Sequence, residues 1–394
     1  MTSADSRQLP GDDAAVAPAA PAGGQIPALT GVRALAAFLV FFHHNRTTWL
    51  IVGPLELWWE LHVGVTLFFV LSGFVITWRY DRQGPQRDGY VRQYFVNRVA
   101  RIYPLYVALV VPTMLFWRER SPRVWLLNLT VFSCFDSGIP QAWSLRVEEC
   151  FYLAAPLIFL AWRRHPLLPL GVAAAVLLAL LPFAGLPALN GILGPPRTLL
   201  LYTFVGRFFE FYAGIWLAKR VSRPRPHGAQ QRRFPAYTLV GGAGIAGVIV
   251  ALASIQAATR GAYLYGLYHP AGIVLNNVVL PIFIVAFYRG LIEEATLVRR
   301  LLSSRLALLL GRSSYAFYLV HIGVVRDYFL AAFVFASGVF GAAAGSLANR
   351  MVHHVATLFL LVNLLAILLY KLIEAPANRF LRRAFGRRPA VLSI

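Results

Sequence analysis

Apolar runs long enough to cross a lipid bilayer recur along this chain, which makes it a polytopic membrane protein before any motif is read. Ten spans are expected, starting near Leu29, His62, Ile102, Val147, Leu167, Leu199, Tyr237, Gly272, Leu306 and Val352. Val124–Ser133 and Val325–Gly338 are apolar but awkward in length, and read as interfacial or re-entrant. Composition agrees: 58% of the 394 residues are apolar and 13% charged, with a mean hydropathy of +0.62. The expected fold class is all-α, a bundle of about ten transmembrane helices.

Basic residues set the orientation. With a cytoplasmic N-terminus, inner loops and tails hold 25 of the 37 Lys and Arg residues, and outer segments hold 8. That bias follows the positive-inside rule and puts both the N-terminus and the C-terminus in the cytoplasm. A net charge of +21 would suggest nucleic acid in a soluble chain. Here loop arginines fix topology and meet anionic lipid heads, so no nucleic-acid partner is expected. Residues 1–27, rich in Ala, Pro, Gly and Asp, read as a disordered cytoplasmic tail. Residues 28–380 read as one membrane domain and 381–394 as a basic cytoplasmic tail. With no soluble catalytic domain expected at either end, any chemistry must happen within the bundle. Two cysteines make no framework and show no metal-ligand spacing, so no metal site is expected.

Six constellations interrupt the apolar background. In the first span, Arg33 and His44 are eleven positions apart, within roughly 20° of one helix face and roughly 16 Å along it. Ionisable groups at membrane depth are costly and usually mark function. Arg33 lies near enough to the span start to snorkel; His44, in the outer half, is harder to explain that way. The second is Gln141-Ala-Trp-Ser-Leu-Arg-Val-Glu-Glu-Cys-Phe-Tyr152, where adjacent carboxylates follow Trp143 and Ser144 at the outer start of a span. Either Glu148 and Glu149 stabilise the helix dipole, or one of them orients the imidazole at similar depth as in general-base catalysis.

In the third, Arg98 and Arg101 share a helix face at the inner mouth of a span, suited to bidentate phosphate binding or to anchoring topology. The fourth, from Gly64 to Phe74, carries small residues for close helix approach, with Ser72 as an alternative acyl-carrying nucleophile. The fifth sets Ser314, Tyr315 and His321 within a span, where they bind a polar substrate or are simply satisfied in the bundle. The sixth, Glu374 before Pro376, reads as an ion-pair partner for a neighbouring loop.

Taken in order, these pieces resemble the acyltransferase 3 family of integral-membrane O-acyltransferases: Arg33 with His44, the Phe-Phe-Val-Leu-Ser-Gly-Phe run at 68–74, Arg98 and Arg101 before Tyr103-Pro104, Trp143-Ser-Leu before Glu148, Ser314-Tyr315 with His321, and Glu374. The resemblance covers roughly residues 28–380. It implies a ten-helix bundle in the inner (plasma) membrane that passes an acyl group from cytoplasmic acyl-CoA to an acceptor hydroxyl. It further implies that His44 and Glu148 are catalytic and that Arg98 and Arg101 handle the donor, with Arg33 assigned beside them. Trp143, Ser144, Ser72, Tyr315 and His321 are carried as substrate-side candidates. No cofactor is expected to be held permanently; acetyl-CoA is the expected cosubstrate. Tandem His43-His44, and Arg146 where the family often has a small residue, are departures from the pattern.

The expected mechanism has His44, oriented by Glu148, deprotonate the acceptor, which attacks the thioester; a covalent intermediate on Ser72 or His44 stays open. The acceptor is a cell-envelope glycan, a lipid-linked sugar, or a secondary metabolite such as a macrolide. The competing reading is a proton-coupled transporter of a lipid or sugar, since intramembrane His and Glu also serve proton relays.

Overall fold

The computed structural model describes residues 26–45, 51–52, 55–80, 90–119, 121–130, 139–189, 193–222, 234–259 and 262–386. The expected disordered tail before Ile26, and most of the Pro- and Arg-rich loop at 222–235, lie outside these residues. The chain runs α1 (Pro27–His44), a two-strand turn pairing Ile51 with Glu56, α2 (Gly64–Tyr80), α3 (Tyr90–Phe116), α4 (Pro122–Leu129) and α5 (Ala142–Arg164). Then come α6 (Leu168–Leu180), α7 (Pro196–Tyr202), α8 (Phe208–Val221), α9 (Ala236–Ala258) and α10 (Pro270–Val274). The last group is α11 (Leu280–Glu293), α12 (Leu297–Leu302), α13 (Arg305–Val320), α14 (Val324–Gly338), α15 (Ala342–Val352), α16 (Val355–Leu369) and α17 (Ala375–Phe385). In hydrocarbon each backbone polar group must be satisfied internally, and helices do this within one segment.

Six of these helical segments are long and apolar enough to cross a membrane, and a seventh forms if the bent pair α13–α14 counts as one span. The expectation was ten. The difference comes from helices whose polarity or length removes them: α5 carries Arg146, Glu148 and Glu149 in its first half, and α8 has only 14 residues. Leu168–Phe183 is likewise a short apolar helix. The bundle wears its apolar side chains outward as well as inward: Leu157 and Leu178 on α5 and α6 are exposed by 69% and 68%, as suits contact with lipid.

Small residues let the helix backbones touch. A Cβ on Gly73 of α2 would overlap the carbonyl oxygen of Phe211 on α8, and one on Gly214 would overlap that of Val70. The reading of the Gly64–Phe74 run as a close-packing stretch thus holds in the fold. Around this contact Phe69 and Phe151 both stack on Phe211, with ring centroids 4.9 and 4.5 Å away.

Next to it lies a buried polar knot. Arg207, just before α8, pairs with Glu210 at 2.8 Å and donates to Thr66 Oγ1 at 2.9 Å. Thr66 in turn donates to Asn276 Oδ1 at 3.2 Å, in the π-helical turn Leu275–Val279 between α10 and α11. The extra residue of that turn swings Asn276 and Asn277 into the core, where Asn277 donates to the carbonyl of Leu200 at 2.9 Å. A second π-turn, Tyr370–Glu374, carries Glu374 inward between α16 and α17.

The sharpest feature is a 99° bend between α13 and α14. Gly323 takes φ = 103° there, a conformation that glycine adopts without steric cost. The amide of Gln141, which precedes α5, donates to the freed carbonyl of Leu319 at 2.6 Å, so the break is satisfied from within.

Replacing Gly73 by valine should drive α2 away from α8 and cost about 1–3 kcal/mol. The expected readout is a lower unfolding temperature of the detergent-purified protein, with no such loss for valine at Gly247, whose Cβ direction is open.

Candidate active site

Five helices bring their polar residues to one cavity of about 100 Å³. Its walls include Arg33 from α1, Ser72 from α2, Arg98 and Arg101 from α3, Ser144, Glu148 and Tyr152 from α5, and Ser314, Tyr315 and Tyr318 from α13. Of the ten residues assigned to the site, seven line this cavity; His321 stands against its Tyr318, Trp143 against its Phe69, and His44 beyond His321.

Glu148 is the carboxylate that faces the cavity. It accepts hydrogen bonds from the Ser72 hydroxyl and from Tyr152, one helical turn further along α5. Glu149, about 100° round the helix, is buried with Oε2 unpartnered among the described residues. The division of roles between the adjacent acids follows from helix geometry alone.

The arginines differ from one another. Arg101 is ion-paired with Glu374, whose inward swing at the π-turn makes the contact; the partner of Glu374 is a helix rather than a loop. Among the described residues Arg98 has no such carboxylate. Its guanidinium lies between the rings of Tyr80 and Tyr152, 5.5 and 5.4 Å from their centroids. Its one hydrogen bond to Tyr80 is long, at 3.5 Å, and its Nε is buried without a partner among the described residues. A guanidinium held by aromatic faces with an unspent donor suits an incoming anion. Arg33 shares the cavity wall with both.

Tyr315 donates its hydroxyl to the Ile102 carbonyl at 2.9 Å, so its single proton is already committed. Ser314 likewise donates to Gly311, at 2.9 Å. Ser144 donates to the Gln141 carbonyl at 3.1 Å and lies 2.7 Å from the Tyr318 hydroxyl. Trp143 packs edge-on against Tyr202 at 4.8 Å and takes no part in the cavity wall.

His44 ends α1 on the far side of Tyr318. The ring of Tyr318 is 5.6 Å from that of His321, and His321 Nε2 is 3.1 Å from His44 Nδ1. His43 turns elsewhere, with its Nδ1 3.4 Å from the Trp58 carbonyl and its ring beside His62 and Tyr265. The tandem histidines are thereby told apart. The groups seen around His44 are His321 and the Val40 carbonyl, while those on Glu148 are Ser72 and Tyr152. Tyr318 and His321 connect the two.

Sequence reasoning passed over Tyr318, Tyr152 and Tyr80. Tyr318 stands four residues after Ser314 and three before His321, on one helix face, which is the spacing that marked it. Tyr80, at the end of α2, carried no such signal.

A model of the acyltransferase domain family matches residues 26–371. The chain belongs to this acyltransferase family. It is 28% identical over 192 residues to the peptidoglycan O-acetyltransferase OatA of Listeria monocytogenes, covering 41% of the present chain and 30% of the relative. It is 26% identical to the candidate peptidoglycan O-acetyltransferase YrhL of Bacillus subtilis, over 92% of this chain and 56% of that one. The acyltransferase MdmB of Streptomyces mycarofaciens is 28% identical over 77% of this chain and 79% of its own length. The chain thus spans a third to a half of the first two relatives and most of the third. No solved structure matches.

The Arg101–Glu374 pair separates structure from substrate handling. Arg101→Ala leaves a carboxylate buried without its counter-charge and should cost about 3–5 kcal/mol. Adding Glu374→Leu should restore most of the lost thermal stability; no recovery in the double variant would show that Arg101 acts elsewhere.

Proposed function

We propose that the protein is a multi-pass enzyme of the inner (plasma) membrane that transfers an acetyl-sized acyl group from cytoplasmic acyl-CoA to a hydroxyl of a cell-envelope glycan. The observation that carries this reading is Arg98, a guanidinium with a buried unspent donor in a cavity joined through Tyr318 and His321 to an imidazole. The family and the relatives named as peptidoglycan O-acetyltransferases support the chemistry and the acceptor class.

Positive-inside charge puts the start of α3 at the cytoplasmic face, so Arg98 meets the coenzyme phosphates first, with Arg33 adding charge deeper in. Arg101 serves mainly to neutralise Glu374. The thin arm of the coenzyme carries its thioester into the cavity beside Ser72 and Glu148. His44, exposed at the outer end of α1, takes the proton of the acceptor hydroxyl. The oxygen attacks the thioester carbonyl, the C–O bond forms, the C–S bond breaks, and the proton passes to the departing thiolate. The products are an ester and free coenzyme A. Glu148, held by the Ser72 and Tyr152 hydroxyls, offers its carboxylate to the cavity that Tyr318 also lines.

Purified protein in lipid nanodiscs should consume radiolabelled acetyl-CoA and leave alkali-labile label on peptidoglycan fragments. His44→Ala and Glu148→Gln should each lower turnover at least a hundredfold, within the 10²–10⁴ range of general-base catalysis. Near-normal turnover in either variant removes that residue from the mechanism. Arg98→Ala should weaken acetyl-CoA binding tenfold or more, measured by calorimetry, with thermal stability unchanged. Import of an intact sugar or lipid with no loss of acetyl-CoA would favour the transporter reading instead.

A further inference from the structure

A buried histidine stands where α13 ends. His321 is 0% exposed and caps the C-terminus of α13, two residues before Gly323. Its Nδ1 is 2.7 Å from the Tyr318 carbonyl, and Arg326 at the start of α14 donates to its own carbonyl at 3.1 Å. Phe317 lies parallel to its ring at 6.5 Å. Gln141 holds the same turn through the Leu319 carbonyl. The ring is therefore held by the Tyr318 carbonyl, and the turn that carries it by Gln141 before α5 and by Arg326 beyond the break.

Those partners decide the protons. A carbonyl oxygen only accepts, so the proton of His321 is on Nδ1 and Nε2 carries the lone pair. That lone pair is 3.1 Å from His44 Nδ1. His44 Nδ1 also lies 2.9 Å from the Val40 carbonyl, so the proton of His44 is on Nδ1 and is shared between two acceptors. The basic nitrogen of His44 is then Nε2. When Nε2 takes a proton, the Nδ1–H that His321 accepts becomes a charge-assisted hydrogen bond and strengthens.

We infer that His321 is the positioning residue of His44: it accepts the Nδ1 proton, fixes the ring and its tautomer, and steadies the charge that develops during proton abstraction. This rests on the reading of His44 as the proton acceptor. In an aqueous-exposed helix end the ring would otherwise rotate about its side-chain bonds; the buried partner removes that freedom.

The test uses the full-length protein in nanodiscs with acetyl-CoA and peptidoglycan fragments. His321→Leu should lower kcat about 30-fold or more while leaving the KM for acetyl-CoA within twofold. His321→Gln, which can carry a carbonyl oxygen near the place of Nε2, should recover most of kcat. In a His44→Ala background, His321→Leu should reduce turnover no further, because its effect acts through His44. Unchanged kcat in the leucine variant, glutamine as poor as leucine, or an additional loss in the double variant would each overturn the inference. Should the leucine protein fail to fold, the Gln and Asn variants carry the test, since asparagine is too short to reach His44: equal rates for the two would overturn it. Absence of transfer by the wild-type protein would instead count against the proposed function itself.

Discussion

A charged side chain carried into an apolar bundle must be matched there, and this requirement organises the described helices around two ion pairs whose carboxylates are buried. Arg101 with Glu374 joins α3 to the π-turn after α16, and Arg207 with Glu210 joins the start of α8 to Thr66 and, through it, to Asn276. Each pair costs desolvation and is held by further hydrogen bonds or by helix distortions that place the partner. Removing either partner would strand a charge, so the pairs fix which helices meet. The cavity forms where α1, α2, α3, α5 and α13 converge, with the first of these pairs in its wall and the second behind Phe69, whose ring lies 5.1 Å from the Arg207 guanidinium.

Against that background the unmatched groups stand out. Arg98 is stabilised by tyrosine faces rather than by a carboxylate, which keeps its charge available to a ligand. Glu148 is held by two hydroxyl donors, which position a carboxylate without cancelling it. The imidazole of His44 is reached through Tyr318 and His321. An anion-holding end and a proton-handling end, separated by one tyrosine, suit a reaction in which a long anionic carrier approaches from one side and a hydroxyl from the other.

Much of this was legible in the sequence because charge in an apolar run is conspicuous. Arg33, Arg98, Arg101 and Glu148 were identified by that contrast, Ser72 in a run of small residues, and Ser314 and Tyr315 as polar groups within a span; all seven line the cavity. The close approach of α2 and α8 was legible from Gly73. What escaped were the consequences of distortion. Neither π-turn has a sequence signature, so the inward swings of Asn276 and Glu374 were hidden. The packing of α13 along α1 made a substrate-side candidate, His321, a neighbour of His44, a contact between residues 277 positions apart. Six of the ten expected spans are matched by described helices long and apolar enough to cross a membrane, or seven with the bent pair α13–α14; α5 is continuous over 23 residues but carries Arg146, Glu148 and Glu149, and α8 has 14 residues.

The account is tested most directly by a structure of the protein with a non-hydrolysable acetyl-CoA analogue. It predicts phosphate density against Arg98 at the inner half of α3, the arm passing Glu148, and the acyl carbon beside Tyr318 on the path to His44. Density for the analogue away from Arg98 and Glu148, or nowhere in the bundle at saturating concentration, would contradict it.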